Sequence, residues 1–148
     1  MIPVFNDLGE LPEGIHWADW DEISTKFGYN LKRIKMLNGL MLVLNYLKVA
    51  GCKYAYLDGS FVTIKEFPND YDVCWDIVGV DISILNNLVP ELINFDRDRR
   101  NQKMLFLGEF LPYNPRLKSY SILEFFQFNR NDIKKGIIGI EVDKINDN

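Results

Sequence analysis

Asp70 and Asp72 stand one residue apart at the head of the apolar run Val73-Cys74-Trp75. That pairing constrains the fold more than any other feature of the chain. The run reads as a strand, and a strand turns alternate side chains to one face, so both carboxylates point the same way. An acid inside such a run is costly to bury unless it is paired or meets a cation. Upstream, an apolar and aromatic stretch closes on Leu57-Asp58-Gly59-Ser60, and a spacer from Phe61 to Asn69 leads to the acids. Two hard oxygen ligands side by side suit Mg²⁺. Gly59 permits a close backbone approach and Ser60 adds a hydroxyl, which together can hold a phosphate chain against that metal. The plainer alternative is a solvated hairpin, in which Gly-Ser is an ordinary turn and Asn69-Asp70 after Pro68 simply starts a strand.

Around this unit the chain reads as helix, strand, strand, helix, strand. Met1 to Gly28 is expected to form an ordered arm with a short helix from Trp17 to Phe27, because Trp17, Trp20, Ile23 and Phe27 recur at helical spacing. Asn30 can cap a long helix from Leu31 to Ala50 that Gly51 ends. Its apolar stripe is read as Ile34, Leu37, Leu40, Met41, Leu44 and Leu47, with Lys32, Arg33, Lys35 and Lys48 on a solvated face. Strands follow at Lys53 to Leu57 and Asp70 to Asp76. Helical sequence runs from Ile82 to about Lys103, interrupted at Pro90, and Met104 to Leu111 is a strand candidate stopped by Pro112. An aromatic block from Ser119 to Phe128, a polar turn, a strand from Gly136 to Val142 and a frayed tail from Asp143 complete the chain. The order predicts an α+β fold, a mixed β-sheet with helices packed on it. One domain over residues 29–148, preceded by the arm at 1–28, is the expected organisation.

Composition narrows the function classes. At 148 residues and 47% hydrophobic, the chain can bury one core and is short for two. A net charge of −4 argues against broad duplex-DNA binding, which needs a field of Lys and Arg. No stretch approaches the roughly 20 apolar residues of a membrane span, so a cytoplasmic protein without membrane attachment is expected. Cys52 and Cys74 then read as reduced core residues, and the single His16 makes a histidine-rich zinc site implausible. His16, between Ile15 and Trp17, is read as a packed or partner-facing residue.

Gly59, Ser60, Asp70 and Asp72 together resemble the signature of the nucleotidyltransferase superfamily: a strand ending in Gly-Ser, a short connection, then Asp-x-Asp on the next strand. Over nearly its whole length, from Pro12-Glu13-Gly14-Ile15-His16-Trp17 through Asn69-Asp70-Tyr71-Asp72 to Lys135-Gly136-Ile137-Ile138, the chain also looks like a family of short, uncharacterised bacterial and phage-associated nucleotidyltransferase-like proteins. The first resemblance implies a nucleotidyltransferase-like fold, with Asp70 and Asp72 carrying Mg²⁺ or Mn²⁺ and Gly59-Ser60 contacting the phosphates of a nucleoside triphosphate. It also implies a third acid from an adjacent strand. Glu109, in the apolar run Phe106 to Leu111 with Gly108 leaving room beside it, is the first choice, ahead of Glu124 and Asp76. Asp76 continues the strand of Asp72 about 13 Å further on.

Triphosphate calls for cations. Arg97, Arg99, Arg100 and Lys103 cluster before Glu109, although such a run is usually a solvated helical face. Lys135, before Gly136, is taken as the phosphate-binding candidate, with Lys134 beside it. The resulting expectation is Mg²⁺-dependent transfer of a nucleoside monophosphate from a triphosphate to a hydroxyl of a partner protein or an RNA end. The resemblance adds a toxin–antitoxin or phage-defence setting. Two alternatives stay open: a catalytically inactive nucleotide-binding module on the same fold, which the apolar spacer Phe61-Val62-Thr63-Ile64 permits, and a protein-interaction module using Trp17, Trp20 and Phe125-Phe126.

Overall fold

A computed structural model of the chain describes residues 1–117 and 121–146. Five strands form one mixed sheet in the order β1-β5-β2-β3-β4. They are β1 (Gly14–Trp17), β2 (Tyr54–Asp58), β3 (Tyr71–Asp76), β4 (Gly108–Tyr113) and β5 (Gly136–Glu141). The central strand β2 runs antiparallel to both β5 and β3, and each edge strand runs parallel to its neighbour. Pro112 lies within β4 rather than stopping it, which an edge strand tolerates because its outer N–H groups need no sheet partner. The arm supplies β1, and Leu11, Ile23 and Phe27 are buried in the main core. Its helix, α1 (Trp20–Phe27), starts later than the spacing of tryptophans suggests, because Asp19 caps it and Trp17 belongs to the strand.

The long helix α2 (Leu31–Val49) is capped by Asn30 as read from sequence, but its buried face differs. Arg33, Met36, Leu37, Leu40, Val43, Leu44 and Leu47 face inward, while Ile34 is exposed. Beyond β3 come α3 (Ile82–Leu88), capped by Asp81, and α4 (Arg100–Phe106). Met104, Leu105 and Phe106 therefore end a helix, and β4 begins only at Gly108 after a left-handed turn at Leu107. Helix α5 (Ile122–Phe126) follows. Residues 119 and 120 of the aromatic block lie outside the described residues, as do the last two of the tail. The tail is otherwise folded back: Ile145 is buried, and its carbonyl accepts a hydrogen bond from Lys48 on α2.

Side-chain alternation gives the sheet two faces. Ala55, Leu57, Tyr71, Val73, Trp75, Phe110, Ile138 and Ile140 join α1, α2 and α3 in the main core. Tyr56, Cys74 and Ile137 point the other way and meet Phe126, Ile122 and Leu123 of α5 in a second, smaller cluster. Tyr71 ties its face together through edge-on ring contacts to Phe61 and Phe110, and its hydroxyl donates to the Phe106 carbonyl at 2.7 Å. Gly108 has no Cβ because the Tyr71 ring would lie 2.4 Å from one, so this glycine serves the core rather than Glu109. Among the described residues no helix is long and apolar enough to cross a membrane.

Candidate functional site

The second face is built differently at one end. Asp58 closes β2 directly opposite Asp72, and Asp72 is in register with Glu109 on β4. Counting by twos from Tyr56 and Cys74 puts Asp58, Asp70, Asp72 and Glu109 on the side of the sheet that carries α5, beyond the edge of the small cluster. Three neighbouring strands thus present one acid each in a single row, with Asp70 two residues before Asp72. The sequence reading joined Asp70, Asp72 and Glu109 but missed Asp58. Its signal was available, because a short antiparallel connection sets the residue before Gly59 against the acids.

Gly59 explains why β2 and β3 come so close here. Its φ is +93°, and a Cβ added to it would lie 3.2 Å from Asp72 Oδ2 and 3.3 Å from the Asp72 nitrogen. A side chain would meet both strain and crowding. Ser60 then opens a 3₁₀ turn, Ser60–Val62, whose carbonyl at Ser60 accepts from Thr63 Oγ1 at 2.6 Å. The turn and the following loop are held from behind by Arg33, which has no exposed surface. Its guanidinium donates to the carbonyls of Phe27, Phe61, Thr63, Lys65 and Glu66 and lies over the Phe61 ring, 4.9 Å from its centroid. Arg33 is therefore the frame of the Gly-Ser loop and not part of a solvated face. The planar fork of Arg fits this work because its donors reach several acceptors at once.

The charges of the row are unevenly matched. Lys135 is buried and pairs with Asp58, so its ammonium is committed to a carboxylate in this structure. Burial raises the Asp58 carboxyl above the ordinary range, against the pull of Lys135 and of a hydrogen bond from the Gly59 N–H. On the far side, Glu109 Oε1 receives both Arg99 Nε at 3.3 Å and Lys103 Nζ at 3.1 Å. Asp72 lies between, and among the described residues no cation pairs with it. Burial, then the nearby charges of Asp70, Glu109 and Asp58, push it up to about 7, and it shares a hydrogen bond with Glu109. Two carboxyl groups so placed hold a proton where a cation could stand.

The remaining candidates are placed elsewhere. Asp76 closes the other end of β3, where its Oδ1 accepts from the Val78 N–H. Glu124 is exposed on α5. Lys134 faces solvent beside Glu13, and Arg97 and Arg100 are exposed. His16 Nε2 lies 2.6 Å from the Pro12 carbonyl, a packed histidine. A cavity of about 580 Å³ lies at the opposite end of the sheet, between Trp17, Trp20, Met41 and Ile145, away from all four acids.

The donor set is of the kind a hard divalent cation takes: carboxylate oxygens only, from Asp72 on β3, Asp70 two residues before it, and Asp58 and Glu109 on the neighbouring strands. Among the described residues, no three His, Cys, Asp or Glu side chains are gathered tightly enough to hold a metal ion as they stand. Glu109 is held by Arg99 and Lys103, and Asp58 by Lys135.

Chemically, this is a single α+β domain whose mixed sheet ends in a carboxylate row flanked by a Gly-Ser turn. The chain belongs to a family of unknown function (DUF6932), which it matches over residues 3–141. No curated protein and no solved structure matches it.

Proposed function

We propose that the protein is a nucleotidyltransferase of the Gly-Ser and Asp-x-Asp type, moving a nucleoside monophosphate from a nucleoside triphosphate to an acceptor hydroxyl with Mg²⁺ or Mn²⁺. The observation that carries this reading is the register Asp58↔Asp72↔Glu109, with Gly59 pressed against Asp72. That register lines up one carboxylate from each of three neighbouring strands beside the Gly-Ser turn, on a sheet face otherwise covered by a five-residue helix.

Asp70, Asp72 and Glu109 would hold the metal, which when bound supplies charge neutralisation at the reacting phosphate. The chain's own residues do the rest. Ser60 and the turn behind it hold the triphosphate, and Arg33 keeps that turn from yielding. The acceptor oxygen forms a bond to the α-phosphorus as the bond from that phosphorus to the α,β-bridging oxygen breaks, and pyrophosphate leaves with the electron pair. The hydroxyl proton passes to a carboxylate oxygen of the Asp72–Glu109 pair.

Transfer from α-labelled triphosphates tests the reading directly. The wild-type chain with Mg²⁺ or Mn²⁺ should label an acceptor, and Asp70→Asn with Asp72→Asn should abolish labelling while leaving a folded protein. Metal-dependent nucleotide binding without any transfer, in the presence of both protein and RNA acceptors, would favour the inactive module.

A further inference from the structure

The two cations on Glu109 stand on the wrong side of the row for a triphosphate held at Ser60. Across the sheet the order is Gly59-Ser60 at the end of β2, then Asp70 and Asp72 on β3, then Glu109 on β4, then Arg99 and Lys103. In an in-line displacement the attacking and leaving oxygens lie on opposite sides of the phosphorus. With pyrophosphate leaving toward Ser60, the acceptor approaches past Glu109, and it meets Arg99 and Lys103 there.

These cations are held in place. Gln102, 1% exposed, anchors α4 by donating to the Glu91 carbonyl at 2.9 Å and accepting from the Phe110 N–H of β4 at 2.7 Å. Lys103 is its neighbour, and Arg99 precedes the helix in a left-handed conformation (φ 52°), as does Asp98 (φ 57°). Non-glycine residues adopt that conformation at a cost, and here it brings Arg99 to the carboxylate. Both cations converge on one oxygen of one carboxylate, so their remaining N–H groups are free to meet a further anion arriving from the β4 side. Arg97 and Arg100, next to them in the chain, are exposed.

We infer that the acceptor is itself a phosphate-bearing strand: a single-stranded polynucleotide end whose terminal phosphodiester is held by Arg99 and Lys103 while its hydroxyl enters beside Glu109. A protein hydroxyl carries no phosphate to engage them. This inference rests on the nucleotidyltransferase reading for its chemistry, yet strand binding can be measured without turnover.

The test uses the full chain with a short fluorescein-labelled single-stranded oligoribonucleotide, followed by anisotropy across a salt series, and in parallel the binding of nucleoside triphosphate with Mg²⁺. Arg99→Ala with Lys103→Ala should weaken oligonucleotide binding about tenfold or more, and flatten its log–log salt slope by about 1.4, two contacts at about 0.7 each. Triphosphate should still bind, since the double variant frees Glu109 for the metal rather than removing it, and the charge-keeping pair Arg99→Lys with Lys103→Arg should retain the strand. With α-labelled triphosphate, label should enter the oligonucleotide and not one whose 3′-hydroxyl is blocked. The inference is overturned if the wild-type chain does not bind the oligonucleotide, if the double variant loses triphosphate instead, or if label enters protein alone. Strand binding that depends on the two cations without any nucleotide binding would leave this site standing and remove the nucleotidyltransferase reading.

Discussion

At position 72 a carboxyl group faces three others, from Asp70, Glu109 and Asp58, and the consequence is a pH dependence of known sign. An ordinary aspartate titrates near 4, whereas folding lifts Asp72 to about 7. Between those values the folded chain keeps a proton that the unfolded chain has lost, so stability falls as pH rises through that window. In chelator, the unfolding free energy from urea curves should therefore decline from about pH 4 to about pH 7 by an amount on the order of a few kcal/mol. Asp72→Asn should flatten the slope, leaving the smaller part due to Asp58, and be the more stable protein at pH 8. Loss of stability in that variant at pH 8 would mean the carboxylate is structural. Gly59→Ala makes the second residue-scale prediction: with φ at +93° and Asp72 Oδ2 at 3.2 Å, it should cost about 1–3 kcal/mol and weaken metal binding. A denaturation curve and a Mn²⁺ titration check both parts. Unchanged metal affinity would show that the two strands can separate without harm to the site.

Among the elements, α2 decides whether the loop after Ser60 has a shape. Arg33→Ala removes donors from five carbonyls and leaves a void under Phe61, so a loss of about 3–5 kcal/mol is expected from unfolding curves. Arg33→Lys should recover little, since one ammonium cannot reach that spread of acceptors. Triphosphate affinity should fall in both. The helix itself was legible from Asn30 and its apolar content, but its inner face was not. Leu31, Ile34, Leu42 and Val49 are exposed, so apolar residues occur all round it and their spacing cannot pick a side. A buried arginine with backbone acceptors leaves no trace in hydrophobic periodicity. The strand from Met104 failed for a related reason: the apolar run spans a helix end and a strand start, and the left-handed turn at Leu107 between them carries no glycine. By contrast, β2, β3 and β5 were readable because apolar runs bounded by Gly, Pro and Asp admit few other structures.

For the molecule as a whole, the site is a place where like charges are gathered without enough cations, and binding should repay that tension. Mg²⁺ or Mn²⁺ should raise the thermal midpoint in proportion to the logarithm of its concentration, and Asp70→Asn with Asp72→Asn should abolish the rise. That Asp70, Asp72 and Glu109 share one row was legible, because strand alternation and register alone decide it. It was not legible at Lys135, whose sequence neighbours give no hint that Asp58 lies across the sheet. Nor could spacing tell that, of four clustered cations, only Arg99 and Lys103 turn to Glu109. The central claim is that the acid row and the Gly-Ser turn together hold a metal-bound triphosphate. Crystals soaked with Mn²⁺ and a nonhydrolysable nucleoside triphosphate test it most directly. An anomalous peak bounded by Asp70, Asp72 and Glu109, with phosphates against Ser60, is the predicted result; triphosphate bound elsewhere, or metal absent from the acids at saturating Mn²⁺, would contradict it.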